Sequence, residues 1–93
     1  MLTDKTALVT GAGWGIGRAI ALKLASLGAK VIVNYSGSRE KAEETVAEIV
    51  AAGGTAEAIQ CDVSDFNACA ELAKNVLAKY GRLDILVKDR KSV

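Results

Sequence analysis

Four short runs rich in β-branched and apolar residues alternate with three stretches whose apolar residues recur every three or four positions. Lys5 to Thr10 (KTALVT) reads as a first buried strand. From there Ile16, Ala19, Ile20, Leu24 and Leu27 fall at helical spacing, and Gly28 supplies the stop. Lys30 to Asn34 (KVIVN) reads as a second strand, closed by the turn-like Ser36-Gly37-Ser38. Ala42, Val46, Ile49 and Val50 share one face of a second helix that Gly53-Gly54 ends, and Ala56 to Cys61 forms a weaker third strand. Ser64 suits the N-cap of a third helix, whose stripe is Cys69, Leu72, Ala73, Val76, Leu77 and Tyr80, with Gly81 as its end. Leu83 to Val87 (LDILV) is a fourth strand, and the polar KDRKSV follows it. Strict alternation with short links calls for parallel strands joined by crossover helices, because no tight turn can bring a chain back parallel to itself. Right-handed crossovers then put helices on both faces of the sheet. The expected fold is α/β, in the order β-α-β-α-β-α-β.

A chain of 93 residues makes one domain. Its 12 basic and 11 acidic residues leave a net charge of +1, scattered along the chain, which argues against a nucleic-acid surface. No apolar run approaches the ~20 residues of a membrane span. The N-terminal MLTDKTALVTG lacks the basic region and long apolar stretch of a secretory leader, so a cytoplasmic location is expected. With two cysteines, Cys61 and Cys69, and no histidine, no metal-ligand set is expected and Ser-His-Asp or Cys-His chemistry is excluded. Both cysteines read as packing residues with free thiols.

Between the first strand and first helix stand Gly11, Gly13, Gly15 and Gly17. The fingerprint G-x-G-x-x-G fits in neither register, since its last position falls on Ile16 or Arg18, and the absence of a Gly-Lys pair rules out the phosphate loop of nucleotide triphosphatases. What fits is T-G-x-x-x-G-x-G, carried by Thr10, Gly11, Gly15 and Gly17. Gly11 can turn the chain out of the strand, Gly15 lets backbone approach a pyrophosphate, and Gly17 lets the helix sit close to the strand. The helix N-terminus then offers free N–H groups and a positive dipole end to phosphate. The plainer alternative is a tight strand-to-helix turn.

TGAGWGIGRAIA resembles the cofactor loop of the short-chain dehydrogenases/reductases. GAKVIVNYSGSREKAEETVAEI, CDVSD and GRLDILV fall in that family's order and spacing, so that the resemblance covers residues 2–87. The turn VNYSGSREKAEE is most similar to bacterial 3-oxoacyl-(acyl-carrier-protein) reductases, which reduce a carbonyl in fatty acid biosynthesis. The resemblance implies a truncated Rossmann fold of strand order 3-2-1-4, with residues 1–87 as part of a cofactor-binding domain and 88–93 as an unrelated tail. It implies that the loop residues Gly11, Gly13, Trp14, Gly15, Ile16 and Gly17 line the cofactor, that Asp62 accepts from the adenine amino group, and that the Val63 backbone lies alongside. Capping the third helix is the alternative role for Asp62.

An NAD site generally carries an acid at the end of the second strand to hold the ribose hydroxyls. Here Asn34-Tyr35-Ser36-Gly37-Ser38 stand in that region and the first acid is Glu40, which favours NADP. Ser36 and Ser38 can donate hydrogen bonds, and Arg39 or Arg18 can neutralise a phosphate, beside a plain turn-capping role. Relatives often carry a basic residue at the position of Trp14, so the charge falls more heavily on Arg18 and Arg39.

The family's catalytic Y-x-x-x-K is absent: Tyr35 is followed four residues on by Arg39 and Tyr80 by Asp84. LDILV also continues as KDRKSV rather than the family's N-N-A-G, the pattern of a truncation, an altered reading frame or an engineered end. No catalytic residue is assigned, and the chain alone is expected to be inactive, with weak or incomplete NADP binding. A bare fourth-strand edge would favour self-association. Two alternatives stand beside this: a non-binding structural or self-assembling fragment, and half of an enzyme completed by another chain.

Overall fold

The computed structural model describes residues 2–10, 15–35, 37, 39–61 and 66–87. The elements run β1 (Thr6–Thr10), α1 (Gly15–Ser26), β2 (Lys30–Tyr35), α2 (Arg39–Ala51), β3 (Thr55–Gln60), α3 (Phe66–Tyr80) and β4 (Ile85–Val87). The strands form one parallel sheet in the order β3-β2-β1-β4. The expected alternation and strand order are therefore present, with β4 shorter than LDILV suggested.

β1 lies inside the sheet and all five of its residues are buried, as a strand covered on both faces must be. The two-residue period of the strands divides the core in two. On one face Val9, Val31 and Val33 pack with Ala21 of α1 and with Ala42 and Ile49 of α2. On the other Leu8, Ile32 and Cys61 pack with Leu72 and Val76 of α3. This is the two-sided cover that right-handed crossovers predict.

The helices end at the glycines anticipated from the sequence. At α2, the Gly53 N–H donates to the Val50 carbonyl at 2.9 Å and the Gly54 N–H to that of Ile49 at 2.9 Å, with Gly53 at φ 92°. At α1, Gly28 (φ 102°) and the Ala29 N–H make the same pair of bonds to Ala25 and Leu24 at 3.0 and 3.1 Å. Both are Schellman ends, which need a left-handed residue and so favour glycine. Gly54 has a second duty. A Cβ there would lie 2.8 Å from Ile49 Cγ2, so a side chain at this position would require Ile49 to shift where α2 turns into β3.

Two stripe residues depart from expectation. Val50 is 54% exposed and Leu77 49%, whereas Thr45 is fully buried with its hydroxyl donating to the Lys41 carbonyl at 3.2 Å. The buried arc of α2 is narrow: Ala42, Thr45 and Ile49 are its buried residues, Val46 packs half-buried against the same cluster, and Val50 sits past its edge. The anticipated cap Ser64 lies outside the described residues.

β4 is attached to β1 at its amino end by Asp84. The Thr6 N–H donates to Asp84 Oδ2 at 2.9 Å, the Asp84 N–H donates to the Thr6 carbonyl at 2.9 Å, and Arg82 holds both carboxylate oxygens at 2.8 and 2.9 Å. Arg82, then the Thr6 N–H, hold the Asp84 carboxyl below its ordinary value. A carboxyl lowered by folding contributes stability above its unfolded value, and that contribution is lost as pH falls through the folded one. Urea unfolding is therefore expected to show a declining midpoint once pH drops below about 3.8, and Asp84→Asn should flatten that part of the profile. An unchanged acid profile in Asp84→Asn would contradict the assignment.

Candidate functional site

α1 and α2 pack on one face of the sheet and α3 on the other, so the helices that follow β1 and β3 lie on opposite faces. Thr10 and Val87 end β1 and β4 at the carboxyl edge, where the strand order switches, the place at which open α/β sheets have their ligand crevice. The Thr10 hydroxyl donates across this switch point to the Val87 carbonyl at 3.3 Å and ties the two strand ends together. Thr10, the first residue of the T-G-x-x-x-G-x-G pattern, is buried.

On the far side of β1 the strand ends are fixed by Asn34. Its buried side-chain amide donates to the Ile59 and Cys61 carbonyls, both at 3.3 Å, while the Cys61 N–H donates to the Tyr35 carbonyl at 2.8 Å. The chain entering the CDVSD segment is thereby set against the end of β2. The sequence marks Asn34 only as a polar residue closing an apolar run, and its positioning role is a finding of the structure.

α1 begins at Gly15, immediately behind the glycine-rich segment, with no acidic residue in its first turn. Gly17 is buried, and Ala21, one turn later on the same side, is 0% exposed against Val9 and Val33. A helix N-terminus without carboxylates, lying close to the sheet and bearing Arg18, is a donor set that fits the phosphates of a dinucleotide.

Both candidate cations are engaged by carboxylates of α2. Arg18 pairs with Glu48 across the α1–α2 contact, with 35% and 51% of the two side chains exposed. Arg39 pairs with Glu43 one turn along its own helix at 3.0 Å, at 74% and 55% exposure. The Glu43 carboxylate, by its hydrogen bond and its charge, raises the Arg39 guanidinium further above its ordinary value. Pairs this exposed are screened by solvent and contribute little, so both cations are held loosely. The sequence carried no signal for Glu48, whose partner stands 30 residues away.

Of the residues anticipated at the cofactor, Gly15, Ile16, Gly17 and Arg18 lie in the first turn of α1, Tyr35 closes β2 and Arg39 opens α2. Gly11, Gly13, Trp14, Ser36, Asp62 and Val63 lie outside the described residues, as does Ser38.

Tyr80 is placed elsewhere, at the end of α3 near the amino ends of β2 and β3. Its hydroxyl donates to Glu57 at 2.8 Å beside Lys79, which reaches the same oxygen at 2.6 Å, and the Lys30 and Lys79 ammonium groups lie 5.9 and 5.6 Å from its ring centroid. Burial first, then the Glu57 carboxylate, raise the Tyr80 phenol above its ordinary value. A proton donor for carbonyl chemistry needs the opposite shift, toward the working pH. Tyr80 ties α3 to β3. No helix among the described residues is long and apolar enough to cross a membrane.

Residues 5–89 match the family described as short chain dehydrogenase. The chain is 51% identical over 89 residues to a 3-oxoacyl-(acyl-carrier-protein) reductase of Staphylococcus aureus, covering 96% of this chain and 36% of that one. Among solved structures, a metagenomic short-chain oxidoreductase in complex with NADP superposes with TM-score 0.87 at 50% identity, over 91% of this chain and 38% of its own. A short chain dehydrogenase of Burkholderia cenocepacia in complex with NADP gives 0.85 at 47% identity, over 91% and 35%. The chain spans about a third of the length of the curated relatives it matches.

Proposed function

This chain belongs to the short-chain dehydrogenase family, and from that premise we propose that it is the dinucleotide-binding part of an NADP-dependent carbonyl reductase of the 3-oxoacyl-(acyl-carrier-protein) reductase kind. The observation that carries the reading is the start of α1 directly behind β1, at the point where the connections of a β3-β2-β1-β4 sheet diverge. In this reading the cofactor pyrophosphate lies on the Gly11–Gly17 segment and the α1 N-terminus. Arg18, Tyr35, Ser36 and Arg39 surround the adenosine phosphate, and Asp62 with Val63 holds the adenine. NADPH, when bound, supplies the hydride for carbonyl reduction. The chain's own residues bind and orient the adenosine–pyrophosphate half. The 93 residues hold no Y-x-x-x-K pair, so in this proposal the chain by itself transfers no hydride, and its cofactor binding is expected to be weak. Residues 1–87 form the cofactor-binding part and 88–93 a polar tail, in a cytoplasmic protein.

Calorimetric titration of the purified chain with NADPH and NADH tests this directly. Measurable NADPH binding, tighter than NADH, is the expected result, and no heat with either nucleotide would favour the reading as a structural module. Carbonyl-dependent oxidation of NADPH by the chain alone would overturn the inactivity.

Self-association through β4 belongs to the same proposal. Among the described residues β4 pairs only with β1, and Leu86 is 57% exposed on the sheet face that α3 covers elsewhere. An edge with unpaired backbone groups beside an exposed leucine invites a further strand. Sedimentation at micromolar concentration is expected to show species larger than a monomer, and Leu86→Lys is expected to shift them toward monomer. A clean monomer for the unsubstituted chain would contradict this.

A further inference from the structure

Arg18 occupies a place where a cation is unfavourable. It lies in the first turn of α1, at the positive end of the helix dipole, whereas the basic residue of the last turn, Lys23, lies where the dipole favours one. In the free chain the mismatch is offset from outside the helix by the Glu48 carboxylate of α2. Glu48 therefore does for Arg18 what an anion bound at the α1 N-terminus would do. The Arg39–Glu43 pair differs, because it is an ordinary one-turn pair within α2 whose formation links no two elements.

We propose that Glu48 is an internal stand-in for a cofactor phosphate, and that Arg18 exchanges Glu48 for that phosphate when the dinucleotide binds. The inference rests on the cofactor reading above and adds to it a residue that sets affinity without touching the ligand. The exchange is feasible because the pair is half-exposed and a doubly bonded guanidinium–phosphate contact is at least as favourable as the carboxylate contact it replaces. Its consequence is competition: every bound cofactor gives up the Arg18–Glu48 link between α1 and α2, and affinity falls by what that link is worth.

The test is a double-mutant cycle on the full chain, read by calorimetric titration with NADPH and NADH. Glu48→Gln keeps the side-chain length and removes the competing charge, and is expected to tighten NADPH binding roughly two- to fivefold, the worth of an exposed ion pair. Arg18→Ala should weaken binding, and in that background Glu48→Gln should have no further effect. Tightening confined to NADPH assigns the exchanged group to the 2′-phosphate, and equal tightening of NADH assigns it to the pyrophosphate; either supports the exchange. Unchanged affinity in Glu48→Gln, with a lowered unfolding midpoint, would make the pair a clamp between helices and overturn the inference while leaving the cofactor reading intact. An unsubstituted chain that binds neither nucleotide overturns both.

Discussion

Gly17→Val is expected to abolish NADPH binding by calorimetry and to lower the unfolding free energy by about 1–3 kcal/mol, the usual range for forcing added methyl groups into a packed site. Gly17 is buried in the first turn of α1, on the side that one turn later presents the fully buried Ala21 to Val9 and Val33. Glycine and alanine at these two positions let the helix lie close to the sheet. An isopropyl group at the first of them forces the amino end of α1 outward, and the free N–H groups proposed to hold the pyrophosphate move with it. Gly17→Ala adds one carbon and should fall between the two. Both quantities are read on the same preparation, so lost binding in a folded sample is distinguished from lost fold. A folded Gly17→Val chain that titrates like the unsubstituted one would remove α1 from the binding site.

The largest effect on stability is expected from Ile49→Ala, at about 2–5 kcal/mol. Native domains hold only about 5–15 kcal/mol in total, and a chain of this size belongs toward the lower end. Ile49 is 2% exposed and is among the largest buried side chains, packed in the cluster that joins β1, β2, α1 and α2. Its neighbours at the α2 end are Ala25 and Gly54, too small to collapse into the cavity. The melting temperature should fall by roughly 10–30 °C. The close approach at Gly54 supplies an internal check. Gly54→Ala alone should destabilise, since its Cβ would meet Ile49 Cγ2 at 2.8 Å, whereas in the Ile49→Ala background that obstruction is gone and the added methyl helps fill the space. The two substitutions should therefore cost less together than the sum of their separate effects. Simple additivity would mean that the two side chains do not share the space.

The elements legible in the sequence are those written in local chemistry. Gly28 and Gly53-Gly54 marked helix ends because a left-handed residue is needed where those helices terminate. The β-branched runs marked strands because they are buried on both faces. T-G-x-x-x-G-x-G marked the strand-to-helix junction, since β1 ends at its Thr10 and α1 begins at its Gly15. Features that depend on which helices meet were not legible. Val50 and Leu77 share the spacing of buried neighbours, yet periodicity gives the direction of an apolar face and not its width. Glu48 reads as one of several surface acids until α1 and α2 are packed together, and Asn34 as the end of a strand until β3 is laid beside β2.

The Asp84 attachment also bears on the order of events during folding. β1–β2 and β2–β3 are neighbours in the chain, each joined through one helix, whereas the Thr6–Asp84 contact closes 78 residues of sequence. Closing so long a loop gains its contacts only after the rest is in place, and topologies of this kind fold slowly for that reason. β4, which among the described residues pairs along three positions with β1 alone, is expected to join last and to detach first. When it leaves, the central strand becomes an edge and the Thr10–Val87 tie across the crevice breaks. Amide hydrogen exchange should accordingly find the β4 protons exchanging well before those of β2, with the mouth of the crevice opening in the same event.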